Sequence, residues 1–344
     1  MVFDHVVYVK NFPHTFALNH ATEIDLETDF DIIGVQGFTV LDSLMVFSTT
    51  DRKGYWSFFS LPDYRFLGKF LTGGQGPFEF LQSPLIGNNG INFFRKNDVL
   101  YATLYHSHMG TLFKMDINQS IKNQQLSIGT FIDFLPPFLF NFCKINDTSF
   151  FCKEISDIQT QQLRYVLNGE QKIVPPHLER LNLASIKTGQ DHNILSTVTR
   201  YEPSRKRFVE MPVMLNYINM YSIDGDFAKT ICIGRRLDNI EKIQEIDRLD
   251  RTYTFSSLSF FSDFWGVVRI NEDFWTVFNE RKQLPEILLF DWNGKPLAQL
   301  KLSNFAMSFD IDFARGYLYT LDSQTEKFFK YDIREILGKL TVIN

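Results

Sequence analysis

Three short turns, Asn168-Gly169, Asp224-Gly225 and Asn293-Gly294, constrain the fold of this chain more than any other feature. Asn-Gly and Asp-Gly accept the positive φ angles of a tight type I′ turn, and alternating strand-like residues stand on both sides of each pair. Each pair therefore predicts a β-hairpin. Weaker turns of the same kind occur at Asp63, Asp116 and Asp332.

Together these turns recur about every 54 residues along the chain. A unit of that length has room for four short strands, which is the content of one propeller blade. The chain is also rich in phenylalanine, with 36 residues, and aromatic side chains favour strands. The sequence therefore predicts an all-β fold: one six-bladed β-propeller of four-stranded blades, forming a single domain over residues 1–344.

Two of the predicted units depart from the common length. Residues 236–250 are predicted as a short helix inserted between blades four and five, because Asp238 and Glu241 fit a capping box and apolar residues follow at helical spacing. The last unit lacks a fourth strand. A strand at 21–27, within the N-terminal segment 1–30, is predicted to complete this blade and close the ring, which removes open strand edges.

A glycine-rich stretch, Gly73–Phe80, lies between the first two predicted blades. It lacks the Gly-Lys-Ser/Thr ending of a P-loop and no helix is predicted after it, so a phosphate cradle is not expected. A structural joint is favoured over a ligand-binding role, with glycines at positive φ, a proline fixing the exit and two polar side chains bonding blade one to blade two. The joint residues are Gly73, Gly74, Gln75, Gly76, Pro77 and Glu79.

The run Phe66–Phe70 followed by Gly73–Phe80 resembles the hallmark of bacterial six-bladed β-propellers of the TolB-like and NHL-like type, in which a Gly-Lys-Phe-like strand end precedes a Gly-Gln-Gly-Pro-x-Glu-aromatic pattern. The segments 317–322 and 328–332 are similar to a generic NHL-type blade. The resemblance implies the propeller fold and a cell-envelope or extracytoplasmic location. It implies no particular activity. No leader is visible at the N-terminus, so a cytoplasmic location stays open.

Composition and motifs argue against several classes of function. A net charge of −5 and a pI near 5.8 do not favour a nucleic-acid partner. The longest apolar run, 131–143, is too short to span a bilayer. The sequence contains neither G-x-S-x-G nor H-E-x-x-H, and its three cysteines fit no zinc template. Cys143 and Cys152 are predicted to face each other across a four-residue turn, either bridged or, as we favour, as buried free thiols.

Cationic residues occur in several predicted loops that share one rim of the disc. Such a rim would attract anions, because clefts lined by one charge focus the field, although nearby acidic residues favour simple solvation as the alternative. His106 and His108 form a candidate metal pair for which no third ligand is identified. The candidate ligand-binding residues are Arg52, Lys53, His106, His108, Arg205, Lys206, Arg207, Arg235, Arg236, Arg281 and Lys282.

The sequence therefore favours a non-enzymatic binding or scaffold propeller that presents a loop-rich, locally basic face to a protein, peptide or glycan, without a cofactor. The alternative is a hydrolase or lactonase of the calcium-dependent propeller type, with Ca²⁺ held by carboxylate and amide oxygens at the mouth of a central channel. The catalytic residues of such an enzyme, the identity of the partner and the oligomeric state are not indicated by the sequence.

Overall fold

The computed structural model describes residues 1–87 and 90–341, which form six sheets, each with four antiparallel strands. The chain is an all-β, six-bladed β-propeller, as predicted from the turn period. Blades 1 to 3 contain the strands Val35–Leu41, Leu44–Thr49, Trp56–Ser60 and Phe66–Phe70; Ile91–Lys96, Val99–His106, Thr111–Asp116 and Ile128–Ile132; and Asn141–Lys144, Ser149–Ile155, Gln162–Asn168 and Gln171–Ile173. Blades 4 to 6 contain Thr197–Glu202, Arg207–Pro212, Tyr217–Tyr221 and Ala228–Ile233; Thr252–Phe260, Phe264–Asp273, Glu286–Asp291 and Pro296–Leu302; and Ser308–Asp312, Tyr317–Asp322, Lys327–Asp332 and Ala21–Ile24.

The three predicted Asn-Gly and Asp-Gly hairpins are confirmed. Each connects the third and fourth strands of its blade, in blades 3, 4 and 5. Gly169, Gly225 and Gly294 have φ angles of 59°, 82° and 76°. These angles lie in the left-handed region, where glycine carries no Cβ penalty. Asn168, Asp224 and Asn293 do not have positive φ, so the turns are not of the predicted type I′, in which both central residues do.

The chain divides into two compact units. The first unit comprises Met1–Leu18 and Leu139–Phe305 and contains blades 3, 4 and 5. The second unit comprises Asn19–Phe138 and the described residues from Ala306 onward, and contains blades 1, 2 and 6. In both units the central strands carry runs of consecutive buried residues, as in Tyr217–Tyr221 and Leu44–Thr49, so these strands are buried on both faces.

Aromatic packing dominates both cores. In the first unit Trp265 stacks on Phe290, with ring centroids 4.6 Å apart. In the second unit Phe30, from the short helix Leu26–Phe30, meets Phe59 edge to face at 4.6 Å. Large rings that interlock in this way bury much apolar area and fix relative orientation, which accounts for the abundance of phenylalanine.

The N-terminal segment Met1–Leu18, which we call the N-terminal arm, adds a fifth strand to two blades. Val6–Val9 pairs in parallel with the outer strand of blade 4, and His14–Leu18 pairs in parallel with the outer strand of blade 5. The sequence did not predict these strands. The next strand, Ala21–Ile24, pairs antiparallel with Lys327–Asp332 and is the predicted fourth strand of the last blade, although it ends earlier than the predicted 21–27.

Helices are short and more numerous than the single inserted one that was predicted. The described helices are Leu26–Phe30, Ile117–Asn123, Pro176–Asn182, Ile240–Ile243 and Arg334–Thr341, with a 3₁₀ turn at His192–Leu195 and a π turn at Thr276–Glu280. The turns predicted at Asp116 and Asp332 lead into two of these helices. The carboxylate of Asp116 accepts a hydrogen bond from the Gln119 N–H at 2.8 Å and thereby caps the helix start.

The prediction of a helix over 236–250 is wrong in extent, because only Ile240–Ile243 is helical. Its cap is Asn239, whose side chain accepts from the Glu241 N–H, whereas Asp238 accepts from the Asn216 N–H at 2.8 Å. Because the Asp238 carboxylate bonds to Asn216, it does not cap this helix as predicted, and the helix ends after one turn. The apolar period of the sequence reflects two separate surfaces, as shown below.

Within the part of the chain that is described, no helix is long and apolar enough to cross a membrane.

Candidate binding surfaces

The glycine-rich joint is compact around the side chain of Glu79. The carboxylate of Glu79 accepts a hydrogen bond from the Gly76 N–H at 2.8 Å. A Cβ placed on Gly74 would lie 2.0 Å from Glu79 Oε2, and one placed on Gly73 would lie 2.6 Å from the Tyr55 hydroxyl. The three glycines do not have positive φ, so the predicted reason for them is wrong. They are required because side chains approach the backbone closely.

The joint contacts blade 2 through packing and a backbone hydrogen bond. Phe80 is buried, with its ring centroid 5.2 Å from that of His106, and the backbone of Glu79 hydrogen-bonds His106. The Glu79 side chain stays within its own loop, contrary to the prediction that it bonds blade one to blade two. Gln75 and Pro77 are exposed. The structural role assigned to the joint thus rests on Gly73, Gly74, Gly76 and Glu79.

The two histidines of the predicted metal pair have different environments. His106 is only 7% exposed, and burial lowers its pKa. His108 lies in the following turn, with its ring centroid 6.3 Å from that of His106. In residues 1–87 and 90–341, no group of three or more His, Cys, Asp or Glu side chains is placed to hold a metal ion. His106 is therefore a core residue rather than the exposed ligand that was predicted.

Aromatic rings form a continuous series on the second unit, which we call the aromatic row: Phe78, Phe113, His106, His108 and Phe138. Successive ring centroids lie 5.6, 5.9, 6.3 and 5.2 Å apart. The middle of the row is buried, whereas Phe78 is 37% exposed and Phe138 is 66% exposed. Because His108 lies in the turn between the second and third strands of blade 2, the row reaches the loop edge of that sheet.

Phe138 has an unusual backbone conformation, with φ at 59°. Its N–H donates to the Ser107 carbonyl at 2.7 Å, which holds the backbone in place beside His108. Met109, in the same turn as His108, is 51% exposed. A bulky residue in the left-handed region is rare and energetically costly. The structure thus keeps a large aromatic side chain exposed at a strained position.

In the first unit two connections between blades (176–195 and 234–251) and the turn between the second and third strands of blade 5 (274–285) form a packed layer, which we call the cap layer. Its core consists of Ile186, Ile194 and Leu195, which pack with Met214 from a turn of blade 4 and with the partly buried Ile240, Ile243 and Phe274. Polar contacts also join its segments: Gln244 Oε1 accepts from the Lys187 N–H at 2.6 Å. Arg251 pairs with Asp191 at 3.0 Å. The layer is therefore folded structure rather than solvated loop.

The cap layer exposes a group of apolar side chains, which we call the apolar patch: Ile246, Leu249 and Trp275. They are 42%, 50% and 51% exposed. The Trp275 N–H donates to the Leu249 carbonyl at 3.0 Å, so the two segments that supply the patch are directly bonded. Ile246 and Leu249 belong to the helix predicted over 236–250, and Trp275 was not selected from the sequence. An exposed tryptophan next to aliphatic side chains is typical of a docking surface.

Most of the predicted cationic residues lie at the loop edge of their blade, meaning the edge that carries the turn between its second and third strands and its exit to the next blade. Arg52 and Lys53 do so in blade 1; Arg235 and Arg236 follow blade 4; and Arg281 and Lys282 belong to blade 5. Lys282 pairs with Glu280 at 2.5 Å, and the Arg281 guanidinium lies 5.1 Å from the Phe305 ring centroid.

The placement of Arg205, Lys206 and Arg207 at that edge is wrong. They connect the first and second strands of blade 4, where Glu202 pairs with Arg207, so they lie at the opposite edge of the sheet. Arg205 donates to the Ser262 carbonyl at 2.7 Å, and the Arg207 guanidinium lies 4.1 Å from the Phe227 ring centroid. The predicted cationic rim thereby loses its largest group.

A buried charged cluster in the first unit was missed: Lys153, Arg164 and Glu210, each fully buried. Glu210 accepts from Arg164 Nη2 at 2.7 Å and lies 3.0 Å from Lys153 Nζ. Burial lowers the pKa of Lys153 to about 8, against the attraction of Glu210. With no exposed atom, the cluster stabilises two neighbouring blades and does not bind a ligand from solution. One sequence signal could have revealed Lys153: residues two apart in a strand share a face of the sheet, which places Lys153 on the same face as the buried Phe151.

The two cysteines of blade 3 are not directly opposed. Cys143 pairs with Phe151 and Cys152 pairs with Phe142, so the pairing is offset by one residue from the predicted register. A one-residue offset moves a side chain to the other face of the sheet, which separates the thiols. Both are free, and burial raises the pKa of each to about 12.

Comparisons with known proteins support the fold. No family profile matches the chain, and no curated protein matches it. A "Putative exported protein" of Bacteroides fragilis is similar in structure, with a TM-score of 0.52 at 9% identity over 92% of this chain and 98% of the other. The Cps50 (Swd1) β-propeller domain of Myceliophthora thermophila has a TM-score of 0.43 at 11% identity, covering 91% of this chain and 100% of that domain. Chaetomium thermophilum Raptor has a TM-score of 0.42 at 9% identity, covering 86% of this chain and 27% of Raptor. Only the likeness to the Bacteroides fragilis protein supports the fold, and at 9% identity it concerns the fold alone.

Proposed function

We propose that this protein is a non-enzymatic binding module that holds a protein partner at the exposed end of the aromatic row. A propeller fold suits a binding or scaffold role, because it presents many loops on a rigid frame. The observation that carries the proposal is Phe138, a strained residue that is 66% exposed.

Glycine at position 138 would adopt the same backbone conformation without strain, so the fold does not require phenylalanine there. A non-glycine residue in the left-handed region costs about 1–2 kcal/mol, and such strain concentrates at functional positions. Most of the ring is in water, so its burial contributes little to folding. Aromatic side chains are effective anchors for partners because they supply large contact area with few rotatable bonds. Met109 beside it supplies an adaptable apolar surface.

The test replaces Phe138 with glycine. Phe138→Gly is expected to unfold in urea at the same or a higher concentration than the wild type, because glycine accepts the left-handed conformation. Partner contact is measured in living cells with a photo-crosslinking phenylalanine analogue placed at Met109. We expect discrete adducts that Phe138→Gly abolishes.

The matched control is Phe66→Ala, which removes another exposed aromatic side chain of the same unit and should leave the adducts unchanged. Adducts that persist in Phe138→Gly would contradict the proposal, as would a large loss of stability in that variant. A glycan or peptide ligand in place of a folded protein would leave no protein adduct. Stoichiometric calcium in the purified protein would instead support the alternative hydrolase.

The proposal includes a location in the cell envelope, supported by the resemblance to the TolB-like and NHL-like propellers. Fractionation of native cells tests it: we expect the protein outside the cytoplasm. Recovery with the cytoplasmic fraction would contradict the location and leave the binding proposal intact.

A further inference from the structure

The segment that supplies Ile246 and Leu249 to the apolar patch carries an excess of acidic residues. Four exposed carboxylates, those of Glu241, Glu245, Asp247 and Asp250, lie in the segment that supplies Ile246 and Leu249. None of the four makes an ion pair with another described residue. The same segment also carries two exposed cations, Lys242 and Arg248, and Arg248 lies 3.8 Å from Asp191, so the four carboxylates outnumber them.

We infer that the apolar patch is a second docking surface, which receives a basic amphipathic segment of a protein partner, with apolar side chains on the patch and Lys or Arg side chains against the carboxylates. The inference deepens the proposed function, in that it concerns a binding module, but it rests on different residues in a different unit.

The geometry supports a preformed site. Trp275 is held by the bond from its N–H to the Leu249 carbonyl, and the next residue, Thr276, donates its N–H to Asp273 at 2.9 Å and its hydroxyl at 2.8 Å. The Asp247 carboxylate accepts from the Leu249 N–H at 3.0 Å. Because both segments are bonded in place, little ordering is required on binding, which lowers the entropic cost of association.

Charge selects the occupant. A second copy of this chain docking through the same patch would bring two sets of four carboxylates together, and such like-charge contacts disfavour association. A neutral apolar segment would leave the carboxylates to be desolvated without partners. A segment that alternates apolar residues with Lys or Arg satisfies both the exposed tryptophan and the acids around it, in the manner of an amphipathic helix on a groove.

The direct test uses a fluorescein-labelled amphipathic peptide of leucine and lysine, about 15 residues long, as a probe. Fluorescence anisotropy is measured against the full-length protein, with a peptide of leucine and glutamate as the comparison. We expect the lysine peptide to bind at least tenfold more tightly than the glutamate peptide, and its binding to weaken as salt is raised. Equal binding of the two peptides would overturn the inference.

Variants identify the surface. Trp275→Ser and the double variant Glu245→Lys with Asp250→Lys should each weaken binding of the lysine peptide at least tenfold. The control double variant, Glu170→Lys with Asp226→Lys, changes the net charge by the same amount at the opposite edge of blades 3 and 4 and should weaken it less than threefold. Similar losses in both double variants would show general attraction to an acidic protein and would overturn the assignment of the patch.

Two further measurements separate this inference from the proposed function. Phe138→Gly should not change peptide binding, because it lies in the other unit. If adducts at Met109 are lost in Phe138→Gly while Trp275→Ser leaves the affinity for the lysine peptide unchanged, the proposed function stands and the second surface is wrong. Sedimentation velocity that shows dimers in the wild type and monomers in Trp275→Ser would make a second copy the occupant and overturn the inference.

Discussion

At the scale of single residues, the most consequential group is the buried cluster of Lys153, Arg164 and Glu210. Burial by itself raises the pKa of Glu210, but the charges of Arg164 and Lys153 outweigh it and hold that pKa well below its usual range. Removing one member of such a cluster leaves an uncompensated buried charge, which costs about 3–5 kcal/mol. The cluster therefore makes stability dependent on pH.

The sign follows from the direction of each shift. Glu210 has a folded pKa below its ordinary value of 4.5, so its contribution is present above pH 4.5 and is lost as the pH falls. Lys153 has a folded pKa of about 8 against an ordinary 10.5, so its contribution to stability rises from pH 8 to pH 10.5 and is constant below pH 8.

We expect the loss of stability in acid to be smaller in Glu210→Gln and the rise of stability in alkali to be absent in Lys153→Met. Urea unfolding over a pH series measures both, and Glu154→Gln is a partly exposed control.

A second prediction at this scale concerns the joint. Gly74→Ala should lower the free energy of unfolding by about 1–2 kcal/mol, because its Cβ displaces the Glu79 carboxylate from the Gly76 N–H. Gly74→Ala introduced into the Glu79→Ala variant should lower the free energy of unfolding by clearly less, because the carboxylate that the Cβ displaces is already absent. A double-mutant cycle in urea measures the coupling. Additive effects would show that Gly74 acts through something other than Glu79.

At the scale of elements, the N-terminal arm is attached by side chains as well as by strand pairing. Phe3 is 4% exposed, meets Tyr221 at 5.7 Å between ring centroids, and its N–H donates to Thr230 Oγ1 at 2.8 Å. Tyr8, within the strand Val6–Val9, is 47% exposed. The arm therefore depends on a few buried anchors rather than on its whole length.

We expect Phe3→Ala to lower the free energy of unfolding by about 3–5 kcal/mol, as for other buried phenylalanines. Tyr8→Ala, which truncates an exposed ring of the same arm, should change it by about 0.5 kcal/mol or less. Urea unfolding followed by circular dichroism compares the two. A similar small effect in both variants would mean that strand pairing alone holds the arm.

At the scale of the whole molecule, both units are assembled from separated pieces of chain. The backbone passes from one unit to the other after Leu18, Phe138 and Phe305. If one unit unfolded alone, its segments would still be tethered at these points to the folded unit. The arm strands and Ala21–Ile24 also follow one another closely in sequence while belonging to different units. Such interleaving favours cooperative unfolding.

The reactivity of the cysteines measures whether the first unit unfolds together with the rest of the chain. Cys143, Cys152 and Cys232 all lie in the first unit and are free, with pKa values raised by burial. We expect all three thiols to react with a thiol reagent at the urea concentration where circular dichroism is lost. Labelling of the thiols well before the loss of circular dichroism would show that the first unit unfolds separately.

The blade count and the hairpins were predictable because their causes are local. Asn168-Gly169 and its two equivalents specify a turn through the φ preferences of adjacent residues, and Ala21–Ile24 was expected because a blade lacked a strand. The edge occupied by Arg205 was not predictable, since it depends on how many strands precede it in the blade. The candidate surfaces were predicted only in part: the loop containing His108 was selected, whereas Trp275 and Phe138 were not, because exposure and strain depend on distant packing.

The sequence by itself determined the repeating architecture, since turn chemistry and strand alternation act over a few residues. Only the tertiary structure decided what the glycine-rich joint, the arm and the charged residues do. The same alternation that places Lys153 inside a blade does not specify Glu210 as its partner, which requires two strands far apart in the chain to meet in register. The binding surfaces also depend on tertiary structure, because the packing of the loops leaves the side chains of Phe138 and Trp275 exposed to water and outside the core.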